Sequence, residues 1–120
     1  MEKIILFIED NEDIRESAAE LLGLLGFRVI TADGGSAALA RVQENTPHLI
    51  ICDISMPEMD GFEVYEALRA KNLATDVPFI FSTARSENID REKAEMAGVA
   101  HYLVKPFTEE DLMEVIRKCL

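Results

Sequence analysis

Short apolar runs recur along the chain and alternate with longer stretches in which apolar residues follow a helical period. Apolar runs of this length that end at turn residues are typical of strands buried on both faces of a parallel sheet. The second run is less uniformly apolar than the others, which indicates a strand at the edge of the sheet. We therefore predict five strands, at residues 3–8, 27–31, 49–52, 77–81 and 99–104.

The stretches between these runs predict helices. Asn11 is a suitable N-cap for the first helix, and Gly26 follows its last apolar residue. Thr108 and Asp111 have the spacing of a capping box at the start of the last helix. The fourth helical stretch is rich in charge and poor in large apolar residues, so we expect it to be the helix least firmly held by packing. The second, third and fourth helices are predicted at residues 36–44, 60–71 and 87–97.

Strands that alternate with helices at these spacings predict βαβ crossovers, which place the strands in a parallel sheet. The expected fold class is α/β, with a doubly wound, five-stranded parallel sheet and helices on both faces. No linker, repeat or low-complexity segment divides the sequence, so residues 1–120 are expected to form one domain.

The composition excludes several functional classes. The 12 basic and 23 acidic residues give a net charge of −11, which argues against direct binding to nucleic acid or to anionic membranes. No apolar run approaches the roughly 20 residues that span a bilayer. The N-terminus lacks the layout of a signal peptide, so we expect a cytoplasmic protein. Cys52 and Cys119 are far apart and have no metal-binding spacing.

Polar side chains follow four of the predicted strands. Glu9 and Asp10 follow the first strand, Asp53 the third, Thr83 the fourth and Lys105 the fifth. The carboxyl ends of the strands in a doubly wound sheet lie side by side, beside the point where the strand order reverses. We therefore expect three carboxylates, a hydroxyl and an ammonium group to share one cleft.

Three carboxylates in one cleft repel one another, and a hard divalent cation relieves that repulsion. Mg²⁺ prefers oxygen ligands and often includes phosphate oxygens in its shell. A cation, a lysine and a hydroxyl together suit phosphoryl transfer, because they neutralise the charge on the phosphoryl oxygens. The predicted topology places no Ser–His or Cys–His pair near the cleft, so the candidate nucleophile is a carboxylate. Asp53, on the central strand, is the best placed of the three.

With these residues in this order, the sequence resembles the receiver domains of two-component response regulators along essentially its whole length. One difference is that many members have two aspartates where this chain has a glutamate and an aspartate. The motifs that carry the resemblance are Glu9-Asp10, Asp53 followed by Met56-Pro57-Glu58-Met59-Asp60-Gly61, Thr83-Ala84, and Lys105-Pro106-Phe107.

The resemblance implies a flavodoxin-like strand order of 2-1-3-4-5 and a specific chemistry. Asp53 would accept a phosphoryl group from a phosphohistidine on a histidine kinase or a histidine phosphotransfer protein. The ligands of Mg²⁺ would be Glu9, Asp10, Asp53 and the backbone carbonyl of Ser55. Lys105 would pair with the acyl phosphate. The domain would catalyse only its own phosphorylation and dephosphorylation, so we expect a signalling domain and not an enzyme.

The resemblance also implies how phosphorylation of the site is transmitted to the surface that binds an effector. Thr83 would bind the phosphoryl group, Tyr102 would rotate inward, and the surface of the fourth helix, fifth strand and fifth helix would meet a downstream effector. The Lys105–Pro106 peptide would be cis. Ser55 and Arg85 resemble the positions that tune the lifetime of the phosphoryl group. The chain is expected to act alone or as part of a longer protein with an output domain.

Three other classes share parts of this pattern. A haloacid-dehalogenase-type phosphatase needs a second aspartate two residues after its nucleophile, where this chain has Ser55, and its nucleophile follows the first strand. A pseudo-receiver would keep the fold without being phosphorylated, but the complete set of polar residues argues against it. A flavodoxin-like cofactor binder would need a phosphate-binding loop after the first strand, which this sequence lacks.

Overall fold

The computed structural model describes residues 2–84, 88–99 and 101–120, with residues 88–91 described by their backbone alone. Strands and helices alternate along these residues, as the hydrophobic pattern predicts. The strands are β1 (Ile4–Ile8), β2 (Arg28–Ala32), β3 (Leu49–Asp53), β4 (Phe79–Thr83) and β5 (His101–Val104). The helices are α1 (Glu12–Leu24), α2 (Gly35–Glu44), α3 (Gly61–Ala70), α4 (Asn88–Ala97) and α5 (Glu109–Cys119).

The five strands form one parallel sheet in the order β2-β1-β3-β4-β5. This order confirms the predicted doubly wound, flavodoxin-like topology, and β2 lies at an edge as expected. All five residues of β3 are buried, because the strand has neighbours on both sides and helices on both faces. The order reverses between β1 and β3, so the carboxyl ends of these two strands flank the position at which open α/β sheets bind their ligands.

The sheet separates two hydrophobic cores. One lies under α1 and α5, where Leu22 and Leu112 pack against Ile51. The other lies under α2, α3 and α4, where Val42 and Val64 pack around Phe81. Since successive side chains of a strand point to opposite faces, each central strand contributes to both cores.

Glycine turns explain where two strands begin. Gly26 has a φ of +98°, and the N–H of Phe27 donates to Leu22 O at 3.1 Å. Phe27 therefore belongs to the turn that ends α1, and β2 begins at Arg28. Gly98 has a φ of +91°, and Val99 donates to Ala94 O at 2.9 Å in the same way. The predicted starts of β2 and β5 are early because these residues belong to helix-ending turns.

The helix caps agree with the sequence pattern. The side chain of Asn11 accepts a hydrogen bond from Ile14 N at the start of α1. Thr108 and Asp111 form the predicted capping box at the start of α5, and Asp60 and Glu63 form a second one at α3. None of the helices in the described ranges is long and apolar enough to cross a membrane.

Candidate functional site

Hydrogen bonds continue the sheet past the last residues of β1, β3 and β5. Glu9 N donates to Ala32 O at 3.0 Å, and Lys105 N donates to Thr83 O at 2.7 Å. The N–H of Ile54 likewise donates to Ser82 O at 2.9 Å. These bonds fix the backbone from which the predicted site side chains project, so the carboxyl edge of the sheet is a rigid base for the site.

Three carboxylates meet at this edge. Ligand oxygens of Glu9, Asp10 and Asp53 lie within 4.8 Å of one another. Glu9 and Asp53 are buried, at 1% and 5% exposure, whereas Asp10 is exposed. The cluster therefore has a closed inner side and an open outer side, and the sequence correctly predicted that these groups come together.

Lys105 supplies positive charge on the buried side of the cluster. Its Nζ atom pairs with Oε1 of Glu9 and lies 3.2 Å from Oδ1 of Asp53, and its side chain is 13% exposed. Burial lowers the pKa of Lys105, but its contacts with Glu9 and Asp53 outweigh burial, and the pKa is raised above its ordinary value of 10.5. The ammonium group is therefore charged at every physiological pH.

One ammonium does not compensate three carboxylates. Burial raises the pKa of Glu9 to about 7, the contact with Lys105 opposes that rise, and the charge of Asp53 adds to it. A group of carboxylate oxygens with one exposed member fits a hard divalent cation such as Mg²⁺, which binds oxygen and retains several waters. The donor set is therefore suited to the predicted metal.

The backbone after β3 folds tightly against the strand. Gly61 N donates to Ile54 O at 2.9 Å, and Met59 N donates to Pro57 O at 2.7 Å. Glu58 has a φ of +68° within this loop. A Cβ atom on Gly61 would lie 2.6 Å from the backbone oxygen of Asp53, so only glycine fits there. The sequence motif contains this glycine, but its contact with Asp53 depends on the three-dimensional path of the loop.

The predicted switch residues lie on one face of the sheet. Thr83 is buried at the end of β4, and Phe81, two residues earlier, is paired with Tyr102 on β5. Strand alternation therefore places Thr83, Phe81 and Tyr102 on the face covered by α3 and α4. Tyr102 is half-buried, and the Lys105–Pro106 peptide is cis, as the resemblance implied.

Of the two residues predicted to tune the lifetime of the phosphoryl group, Ser55 and Arg85, the structure describes only Ser55. Ser55 is exposed in the loop after β3, and its role as a metal ligand through its carbonyl stays a prediction. Arg85 lies outside the described residues. Sequence reasoning missed Ser82, a buried residue paired with Asp53 across β3 and β4, because the predicted fourth strand ended at residue 81.

Within the described residues, buried polar side chains are confined to this edge. Across the described ranges, the buried polar or charged residues follow β1 or belong to the last residues of β3 and β4. The rest of the buried interior in those ranges is hydrophobic. The buried polar residues are Glu9, Asp53, Ser82 and Thr83.

An apolar groove of about 630 Å³ adjoins the site. It runs between α1 and the loop that leads into α5, and Lys105 is one of its lining residues. Ile14 lines this groove and is only half-buried. The groove is therefore an accessible surface directly beside the carboxylates. Its apolar lining includes Ile14, Ala18, Leu21, Pro106 and Phe107.

Comparisons with known proteins identify the family. The model of the response regulator receiver domain matches residues 5–117. The chain is 40% identical over 116 residues to the transcriptional regulatory protein PrrA of Mycobacterium tuberculosis, covering 97% of this chain and 49% of PrrA. It is 33% identical to protein PilG of Pseudomonas aeruginosa, covering 94% of this chain and 84% of PilG.

The chain thus spans about half the length of PrrA but most of the length of PilG. Among solved structures, chemotaxis protein CheY4 of Vibrio cholerae superposes with a TM-score of 0.94 at 30% identity, covering 100% of both chains. The family model, the sequence relatives and the structural neighbour agree with the fold. The chain belongs to the response regulator receiver domain family.

Proposed function

We propose that this domain is the phosphoacceptor of a two-component phosphorelay and that Asp53 takes the phosphoryl group from a phosphohistidine. The observation that supports this most directly is the position of the Asp53 carboxylate, which is buried at the sheet edge between two further acids and the Lys105 ammonium. A carboxylate in that position is a nucleophile with a cation beside it to receive a phosphoryl group.

The reaction is a substitution at phosphorus. A carboxylate oxygen of Asp53 forms the new P–O bond while the P–N bond to the donor imidazole breaks. The electron pair of that bond goes to the imidazole nitrogen, which takes up a proton. Lys105, 3.2 Å from Asp53 Oδ1, stabilises the negative charge on the transferred phosphoryl oxygens. Hydrolysis of the acyl phosphate by water later returns Asp53 to its free form.

Glu9, Asp10, Asp53 and the backbone carbonyl of Ser55 would hold Mg²⁺. When bound, the ion neutralises negative charge on the carboxylates and the phosphoryl oxygens. The exposed position of Asp10 supports this assignment, because a cation can enter from its side while the other two carboxylates stay buried.

Phosphorylation would change the surface formed by α4, β5 and α5. Thr83 binds the new phosphoryl group, and Tyr102 follows it inward on the same face of the sheet. In the part of α4 whose side chains are described, residues 92–97, only Ala94 is buried, which suits a helix that changes position at low cost. Ser55 and Arg85 set how long the phosphoryl group survives.

The partners follow from this chemistry. A histidine kinase or a histidine phosphotransfer protein would donate the phosphoryl group, and the apolar groove at Ile14 beside Lys105 supports docking on that side. The signal passes either to a separate effector protein or to an output domain in a longer chain. The net charge of −11 argues against direct binding to nucleic acid or to anionic membranes, and we place the domain in the cytoplasm.

The test is the intact mass of the protein after incubation with acetyl phosphate or with a phosphohistidine donor, in Mg²⁺ and in EDTA. We expect one phosphoryl adduct that requires Mg²⁺, is stable in acid and is lost in base. Asp53→Asn should abolish it, whereas Asp76→Asn, at an exposed position before β4, should not. An adduct that persists in Asp53→Asn would disprove the assignment, and no adduct from either donor would favour a pseudo-receiver.

A further inference from the structure

Ser82 is a buried polar residue to which the proposed chemistry gives no role. It is 1% exposed, and its Oγ atom has no hydrogen-bond partner among the described residues. Most buried side-chain hydroxyls are hydrogen-bonded, because a buried donor without a partner carries the full cost of leaving water. The unpaired hydroxyl therefore lowers the stability of the unphosphorylated protein, and a state that supplies an acceptor recovers that cost.

The sheet register places Ser82 beside Asp53. The two residues are paired across β3 and β4, and Ser82 is also paired with Leu103 across β4 and β5. Neighbouring strands lie about 4.8 Å apart, and side chains in register on parallel strands point to the same face. Ile80 and Leu103 belong to the core under α1 and α5, so Ser82 and Asp53 point to that side of the sheet. Thr83, the next residue of β4, points to the other side.

Lys105 holds the Asp53 carboxylate in the unphosphorylated protein. Its Nζ atom lies 3.2 Å from Oδ1 of Asp53. Lys105 follows β5 and Asp53 ends β3, so the lysine side chain spans β4, the strand that carries Ser82. A serine hydroxyl on the neighbouring strand can reach the carboxyl group by rotation about one side-chain bond. In this state the ammonium compensates the carboxylate, and the hydroxyl beside it stays unpaired.

We infer that the Ser82 hydroxyl donates a hydrogen bond to the acyl phosphate formed on Asp53 and thereby shortens its lifetime. The acceptor is the carboxyl oxygen that does not carry the phosphoryl group. That oxygen becomes available when Lys105 turns to the phosphoryl oxygens. The inference rests on the proposed function and adds a residue that acts on Asp53 from the side of α1 and α5, opposite Thr83.

The chemistry of hydrolysis gives the direction of the effect. Water forms a new P–O bond, and the P–O bond to Asp53 breaks. The electron pair of the broken bond returns to the Asp53 carboxylate and spreads over both of its oxygens, while the two protons of the water leave with the inorganic phosphate. The hydrogen bond from Ser82 is therefore stronger in the transition state than in the acyl phosphate, which accelerates hydrolysis.

The lifetime of the adduct in variants at position 82 tests this inference. Wild type, Ser82→Ala, Ser82→Cys and Ser82→Thr are phosphorylated with acetyl phosphate in Mg²⁺, the donor is removed, and the decay of the adduct is followed by intact mass. We expect Ser82→Ala to lengthen the half-life about fivefold, the effect of losing one hydrogen bond in the transition state. Ser82→Cys keeps the volume but has a weak donor and should behave like Ser82→Ala, whereas Ser82→Thr keeps the hydroxyl and should retain the wild-type lifetime.

The stability of the unphosphorylated protein is a second readout. Ser82→Ala removes a buried hydroxyl that has no partner, so its urea midpoint should lie above that of wild type. A lower midpoint would mean that the hydroxyl is already paired in this state and would overturn the inference. Ser36→Ala, at an exposed position on α2, is the matched control and should change neither the midpoint nor the lifetime.

The lifetimes also separate this inference from the proposed function. An unchanged or shorter lifetime in Ser82→Ala, or a wild-type lifetime in Ser82→Cys, would refute the inference alone, because the adduct still forms. Absence of an adduct in every protein, with acetyl phosphate and with a phosphohistidine donor, would refute the proposed function as well. Ser82→Ala and Ser82→Cys decide the result if Ser82→Thr does not fold.

Discussion

The N–H of Gly61 donates a hydrogen bond to the carbonyl of Ile54, 2.9 Å away, and so ties the first residue of α3 to the end of β3. This contact brings the backbone at Gly61 against that of Asp53, with no room for a side chain between them. The position of the candidate nucleophile therefore depends on a residue eight places later in the sequence.

Gly61→Ala should disturb the site through the backbone. Its Cβ would lie 2.6 Å from Asp53 O and 2.9 Å from Ile54 Cα, so the loop or the strand end must move. We expect a loss of about 1–3 kcal/mol in the free energy of unfolding, as for overpacked sites, together with a lower yield of the Asp53 adduct. Urea unfolding and intact mass measure the two effects.

Gly34→Ala is the matched control for this substitution. Gly34 is the N-cap of α2, its backbone is extended, and a Cβ atom there would meet nothing within 4 Å. We expect only a small change in stability and a normal adduct. If the two alanine variants behave alike, steric contact with Asp53 is not what requires glycine at position 61.

The stability of the metal-free protein should fall as the pH rises from about 4.5 to about 7. Burial raises the pKa of Glu9 from 4.5 to about 7, so the folded protein binds a proton in this interval that the unfolded chain has released. Lys105 contributes no slope there, because its pKa is raised from 10.5. Urea unfolding in EDTA across this interval measures the slope.

Glu9→Gln should reduce that decline, because an amide does not titrate. Glu66→Gln, at an exposed position on α3, should retain the wild-type slope. A slope in Glu9→Gln equal to that of wild type would mean that another group is responsible for the pH dependence.

His48 should contribute to stability at the opposite end of the sheet. Its Nδ1 atom accepts a hydrogen bond of 2.9 Å from the backbone N–H of Ile4. The backbone N–H of His48 donates in turn to Ile4 O at 2.8 Å. His48→Ala removes the first bond and should cost about 1 kcal/mol of unfolding free energy. The adduct on Asp53 should form normally, since His48 precedes β3 and Asp53 ends it. Gln43→Ala, on the exposed side of α2, is the control and should change neither quantity.

The capping box of α5 should also be measurable. Thr108 accepts a hydrogen bond from Asp111 N at 3.1 Å, and Asp111 accepts one from Thr108 N at 3.0 Å. Thr108→Ala should lower the free energy of unfolding by about 1 kcal/mol. Thr75→Ala, in the exposed loop before β4, should have little effect, and an equal loss in both variants would argue against the capping role.

The sequence predicted the topology and the convergence of the acids because both follow from hydrophobic period and from the geometry of parallel sheets. It placed the start of β5 too early, because Val99 is apolar whether it extends a strand or closes a helix. It could not predict that Lys105 pairs with Glu9 as well as with Asp53, since that depends on side-chain rotamers. Ser82 was missed because a serine at a strand end and a serine in a loop look alike in a sequence.

The confinement of buried polar side chains to one edge of the sheet, in the part of the chain that the structure describes, has an evolutionary consequence. Elsewhere in the described interior, one aliphatic residue can replace another of similar volume without leaving a hydrogen bond unmade. Sequences can therefore drift far through the two cores while the fold stays nearly fixed, as the TM-score of 0.94 at 30% identity with CheY4 illustrates. The helices of the proposed partner surface can then diversify around the same polar edge.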